Sequence, residues 1–137
     1  MAQKQHFSLR LPLQVLQHLE EQAVVRGITK TALAERYLQE AIAVAEHPGI
    51  VFRDGPAGRR AGLVGGPEVW EVIETFLDEA RDLSATARYL KLPLGLVQAA
   101  VSYYADHRGE IDDWIARNAA IAEQAEAAWR RQQAMAR

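Results

Sequence analysis

Three residues near the start of the chain, His6, Ser8 and Arg10, stand two positions apart, so on an extended backbone their side chains share one face. Each can hydrogen-bond to a base edge. An arginine fork suits guanine, a serine hydroxyl suits several edges, and an imidazole donates or accepts. Phe7, Leu9 and Leu11 alternate with them on the opposite face, the pattern of a half-buried strand. A lone strand carries unpaired edges, and even a two-stranded hairpin is marginal in water. No second strand is expected in the next two segments. The pattern therefore calls for pairing with the same strand of a second copy, as an antiparallel ribbon on a two-fold axis. Such a ribbon fits the DNA major groove with its polar face on the bases. The alternative is a swapped structural strand in a dimer that binds no DNA.

The elements that must position this ribbon follow directly. Pro12 ends the strand and opens a helix from about Leu13 to Arg26, with Val15, Leu16, Leu19 and Ala23 as its apolar stripe. Gly27 suits the left-handed residue that closes it. A second helix starts with Thr29 or Thr31 as N-cap and runs to about Glu46, with Leu33, Ala34, Tyr37, Leu38, Ala41 and Ile42 at helical spacing. Its N-terminus, the Thr29 hydroxyl and Lys30 are candidates for gripping phosphate. About forty residues bury little apolar surface alone. The expected core, Leu9, Leu11, Leu16, Leu19, Leu33, Tyr37 and Leu38, is completed by dimerisation. From about Gln5 to Ile42, through His6-Phe7-Ser8-Leu9-Arg10-Leu11-Pro12 and Arg26-Gly27-Ile28-Thr29-Lys30-Thr31, the sequence resembles the ribbon-helix-helix repressors and antitoxins of the Arc/MetJ/CopG superfamily. The resemblance implies a homodimer that binds double-stranded operator DNA.

Residues 47–67 change character and hold six of the nine glycines, so the long helical pattern stops there. His47-Pro48-Gly49 breaks the helix. Ile50-Val51-Phe52 and Arg59 to Val64 are expected as a small β-hairpin around the turn Asp54-Gly55-Pro56-Ala57-Gly58, because they are too apolar for a solvated tether. Arg53, Arg59 and Arg60 on it are candidate backbone contacts. An amphipathic helix follows from about Glu68 to Leu83. Its acids, Glu71, Glu74, Asp78 and Asp82, read as a solvated face. Ser84 is the expected cap of a short helix, and a tight turn at Lys91–Pro93 leads to a helix over Leu94–Tyr104, a helix-turn-helix pattern. Its outward residues are expected to be Gln98, Ser102 and Tyr103. Without Lys or Arg of its own it offers few phosphate contacts, so a structural role is at least as well supported as DNA reading. From about His47 to Trp114 the chain resembles a small helix-turn-helix-like domain of unknown function found in bacterial antitoxins, including longer VapB-type members. The carriers are His47-Pro48-Gly49-Ile50, Arg59-Arg60-Ala61-Gly62, Ala87-Arg88-Tyr89-Leu90 and Val97 through Tyr104.

The last segment, about Glu110 to Met135, reads as an alanine-rich helix with Ile111, Trp114, Ile115, Asn118, Ala122, Ala125 and Trp129 in rough repeat. Past Asn118 it is marginal as a free helix: either a disordered tail or an element that orders on binding. Trp114, Trp129, Arg130 and Arg131 are candidate anchors for a partner protein, since aromatics and arginine are enriched at interfaces. The final eleven residues carry Arg130, Arg131 and Arg137 with no acid, whereas residues 68–82 hold six acids against Arg81. Blocks of opposite sign on a chain of net charge −2 point to surfaces with different partners.

Other classes are disfavoured. With no cysteine there is no disulfide framework and no thiolate metal site. A signal peptide and a membrane-length apolar run are not expected, and a cytoplasmic location is the default. His6, His18, His47 and His107 fall in separate elements; His47 reads as a neighbour of the helix break and His107 as a surface residue near a C-cap at Gly109. No catalytic motif is evident, so neither enzyme activity, nor cofactor, nor metal is expected. The expected architecture is mainly α with a small β component. Residues 1–46 form the ribbon-helix-helix domain, 47–110 the hairpin and helix-turn-helix-like domain, and 111–137 a toxin-binding helical tail. The VapB-like resemblance implies an antitoxin that neutralises a PIN-domain ribonuclease, whose metal-binding acids an arginine such as Arg130 or Arg131 would oppose. The alternative is a ribbon-helix-helix transcriptional regulator with no toxin partner.

Overall fold

The computed structural model describes residues 3–136. Arg137, the last cation of the basic end, lies outside them. The chain is mainly helical with one small antiparallel sheet, and it divides into two compact units, one ending at Ile42 and the other starting at Ala43.

The first unit holds α1 (Leu13–Arg26) and most of α2 (Lys30–Glu46). Pro12 precedes α1, and Gly27 closes it with φ 67°, its N–H returning to the last-turn carbonyls. Nothing lies near that glycine, so its role there is the left-handed backbone, which an L side chain would strain. Of the two expected caps for α2, Thr29 serves: its Oγ1 accepts from Ala32 N at 3.1 Å. Residues 3–12 take no regular secondary structure in the single chain.

The second unit starts with the end of α2, then β1 (Ile50–Gly55) and β2 (Gly58–Leu63), which pair from Ile50–Leu63 to Gly55–Gly58 around Pro56-Ala57. The helices α3 (Val69–Asp78), α4 (Leu83–Leu90), α5 (Leu94–Asp106) and α6 (Arg108–Met135) complete it. Its core is continuous. Ile50, Ala61 and Leu63 of the hairpin meet Val69, Val72 and Ile73 of α3, Val97, Ala100 and Tyr103 of α5 and Ile111 of α6.

Several boundaries differ from expectation. The acidic helix stops at Asp78 rather than about Leu83, because Ala80 and Arg81 both take positive φ and turn the chain. The cap of α4 is Asp82, not Ser84; its carboxylate accepts from Ala85 N at 2.9 Å. Gly109 is no C-cap but lies in the first turn of α6. The tight turn between α4 and α5 stands as expected, with Lys91 left-handed at φ 56°.

Candidate functional site

In the first unit His6, Ser8 and Arg10 are all exposed. The apolar residues between and beyond them are exposed too: Phe7, Leu9, Leu11, Leu13 and Val15, with Tyr37, Leu38 and Ile42 of α2. Leu9, Leu11, Val15, Leu19, Ala34, Tyr37 and Leu38 line an open groove of about 490 Å³, with His18 and Gln22 at its edge. Leu33 and Ala23 alone of this unit's apolar side chains are fully covered among the described residues up to Ile42. The phosphate-gripping candidates lie beside one another in the chain: Thr29 caps α2, and Lys30 Nζ stands 3.3 Å from Glu20 Oε1. That pair is half exposed on both sides and holds the lysine only weakly.

The hairpin arginines, the candidate DNA-backbone contacts, each make contacts within the second unit. Arg53 reaches across Gly62, where any Cβ would collide with its guanidinium, and donates to the carbonyls of Leu63 (3.3 Å), Gly66 (3.0 Å) and Pro67 (3.3 Å). Arg60 Nε pairs with Glu68 Oε1 at 2.7 Å, and its guanidinium lies 5.3 Å from the Trp114 ring centre. Arg59 Nη1 stands 3.3 Å from Asp54 Oδ2. Arg117 covers Trp114 as well, at 5.0 Å, and only 8% of that residue is exposed. Trp114 is therefore a core and cation–π residue of this chain, not an anchor held out to a partner.

The outward face of α5 also differs. Tyr103 is 2% exposed, packed in the core, and its hydroxyl donates to Glu110 at 2.8 Å. Ser102 is exposed but tied to His47, leaving Gln98 as the solvent-facing member of the three without that tie. The helix-turn-helix pattern is present, yet the side chains it would need for reading bases are mostly engaged.

The sequence reading missed a cluster around His47. The last turn of α2 ends with His47 N bonded to Ala43 O at 2.9 Å, and His47 O accepts from Ile50 N at 3.1 Å. Gly49 makes the corner at φ 103°, within contact distance of Ala99 and Leu96, where a side chain would be strained and crowded. The corner drives the imidazole inward until it is 3% exposed. Its Nδ1 lies 2.8 Å from Ser102 Oγ, and its Nε2 lies 3.0 Å from Asp106 Oδ2. The second contact is close, but it lacks hydrogen-bond alignment, and Nε2 has no hydrogen-bond partner. Ligand atoms of Glu46, His47 and Asp106 all lie within 4.8 Å of one another. His107 is no plain surface residue: it stacks on Tyr103 at 4.1 Å and stands edge-on to His47 at 5.9 Å. Ser102 sits inside α5, where backbone N–H groups are bonded along the helix and cannot serve an oxyanion.

Tyr104 donates its hydroxyl to Asp112 Oδ1 at 2.7 Å. That bond, with burial and the aspartate charge, raises its pKa above the ordinary value.

α6 splits in two. Ile111 and Trp114 are buried, whereas beyond Asn118 almost every residue is exposed, which leaves about 25 Å of helix without packing. Trp129 is 58% exposed and Met135 more so. Arg130 Nη2 bonds Glu126 at 2.6 Å along the helix, and Arg131 shares a shallow surface with Ala128, Gln132 and Met135. Among the described residues no helix is long and apolar enough to cross a membrane. Comparison with known proteins yields no match to a family profile, to a curated protein or to a solved structure.

Proposed function

We propose that this chain is a dimeric, non-catalytic DNA-binding antitoxin. Its first unit would pair with a second copy as a ribbon-helix-helix and read an operator through His6, Ser8 and Arg10, with Thr29 and Lys30 at the phosphates. The observation that carries this reading is the apolar groove of the first unit. Seven apolar residues line it in the single chain, in a two-helix unit too small to cover them itself. Leu9 and Leu11 come from the same segment as His6, Ser8 and Arg10, so pairing that covers the leucines turns the polar set outward.

The exposed end of α6 supports a second partner. A helix that projects without packing has to gain its stability elsewhere. Trp129 offers an apolar anchor, and Arg130 and Arg131 suit an acidic surface such as the metal-binding site of a PIN-domain ribonuclease. A stand-alone regulator differs in this respect alone: it has no partner for that end.

The test is a DNA-shift titration over a range of salt concentrations, using fragments of the upstream region of the gene. Arg10→Ala should cost about 1–3 kcal/mol on the preferred sequence and blur the preference. Lys30→Ala should weaken binding to all sequences alike and make the salt dependence shallower. An Arg10→Ala variant that binds with parental affinity and selectivity refutes the ribbon assignment. Co-expression with the adjacent open reading frame decides between the antitoxin and the stand-alone regulator.

A further inference from the structure

We infer that Glu46, His47 and Asp106 form a binding site for a divalent transition-metal ion of the zinc type. The argument starts from His47 Nε2. A nitrogen buried this deeply without a hydrogen-bond partner is costly, and the enclosing protein has not removed the cost by turning Asp106 into line. The aspartate oxygen stands 3.0 Å away but off the direction in which the ring nitrogen would donate. Two ligands of one metal have this relationship. They do not point at each other; both point at a third position, and their separation is the edge of the coordination polyhedron. With bonds of about 2.1 Å that edge is about 3.0 Å in octahedral geometry and about 3.4 Å in tetrahedral geometry.

The remaining chemistry agrees. Glu46 brings a second carboxylate to within 4.8 Å of both other ligand atoms. Two carboxylates beside one neutral imidazole balance a divalent charge. An imidazole donor favours zinc, copper, iron or nickel over magnesium and calcium. Ser102 Oγ, 2.8 Å from Nδ1, accepts the proton of the other ring nitrogen and so leaves the Nε2 lone pair for the metal, the usual orienting contact of a ligating histidine. Tyr103 and His107 wall the ring at 5.5 and 5.9 Å and hold its plane. Glu46 and Asp106 are exposed, so the ion enters from solvent and keeps water in its open positions. Bound there, it ties the last turn of α2 to α5.

The experiment uses the full chain stripped of metal with a chelator, titrated calorimetrically with Zn²⁺ and separately with Mg²⁺. Asp106→Asn and Glu46→Gln alter exposed side chains and leave the fold in place; His47→Gln is the third variant. One Zn²⁺ should bind per chain, with Mg²⁺ far weaker and with an upward shift in melting temperature on zinc addition. Each carboxylate variant should lose tenfold or more in affinity, and the double variant should not bind. In histidine side-chain NMR, the His47 signals should move on zinc addition while those of His6 and His18 stay. Failure of the parent to bind Zn²⁺ overturns the proposal, as does a double variant that binds equally well or a response confined to His6 or His18. In each of those cases His47 and Asp106 are a close side-chain contact and nothing more.

Discussion

The two units of this chain solve the same problem in opposite ways. From Ala43 onward a hairpin and four helices bury a continuous core, and even arginines are drawn inward: Arg53 onto three carbonyls, Arg60 onto Glu68 and Trp114. Up to Ile42, two helices and an irregular segment leave Leu9, Val15, Tyr37 and Leu38 in solvent. Both units have ample apolar residues. What differs is whether the elements can reach one another within one chain. A two-helix unit has one interhelical seam, and any further apolar face needs another surface to cover it. The second unit supplies that surface from its own hairpin. The first does not, and its exposed face is the reason to expect a second copy.

That contrast can be broken or sharpened by substitution. The largest single effect is expected at Trp114. Trp114→Ala should remove about 3–5 kcal/mol of stability from the second unit, because it leaves a cavity and strips Arg60 and Arg117 of their shared ring. Chemical denaturation monitored by hydrogen exchange in residues 69–114 checks this; a loss below about 1 kcal/mol contradicts the core assignment. Leu9→Ala should cost less than Trp114→Ala and should do so only through association. Its effect on melting should therefore grow as protein concentration rises through the dimerisation range, whereas that of Trp114→Ala should not. Removing the residues after Asn118 should change the melting temperature by little, since that stretch packs against nothing in its own chain. It should abolish neutralisation of a cognate nuclease while operator binding persists. If the shortened chain still silences the nuclease, inhibition belongs to the hairpin and helix-turn-helix region.

The smallest effect concerns Tyr104. Its pKa is raised in the folded state, so its contribution to stability is complete below the unfolded value of about 10 and disappears as pH climbs through the folded value. Tyr104→Phe should therefore flatten the loss of stability on the alkaline side and leave the curve near neutrality shifted by a constant amount. Identical alkaline slopes in parent and variant contradict the Asp112 bond as the cause.

Local signals made much of this fold readable in advance. The hairpin turn at Gly55-Pro56-Ala57-Gly58, the Gly27 and Thr29 caps and the turn at Lys91–Pro93 each depend on a few adjacent residues, and each forms. The end of α3 was not readable, because Ala80 and Arg81 adopt positive φ without a glycine or proline to announce it. The burial of Trp114 is not legible in the sequence for a related reason. Flanked by Asp113 and by an exposed helical continuation, it has the composition of a surface anchor, and only the return of Arg60 from the hairpin shows that it is covered. The His47 cluster joins residues fifty-five positions apart, so no motif spacing could mark it. Its faint trace is the i, i+4 pair Ser102 and Asp106 on one helix, beside a histidine that ends another.

The central claim is that a second copy covers the first unit's groove, and Leu38→Asp tests it most directly. In a single chain Leu38 is 51% exposed, so an aspartate there costs little. Across a dimer seam the same charge is buried without a partner. Sedimentation equilibrium of the parent and the variant full chains should find a dimer in the first case and a monomer in the second, with operator binding lost in the monomer and the second unit's fold unchanged. A parent chain that sediments as a monomer at concentrations where it binds DNA, or a Leu38→Asp chain that remains a dimer, contradicts the account.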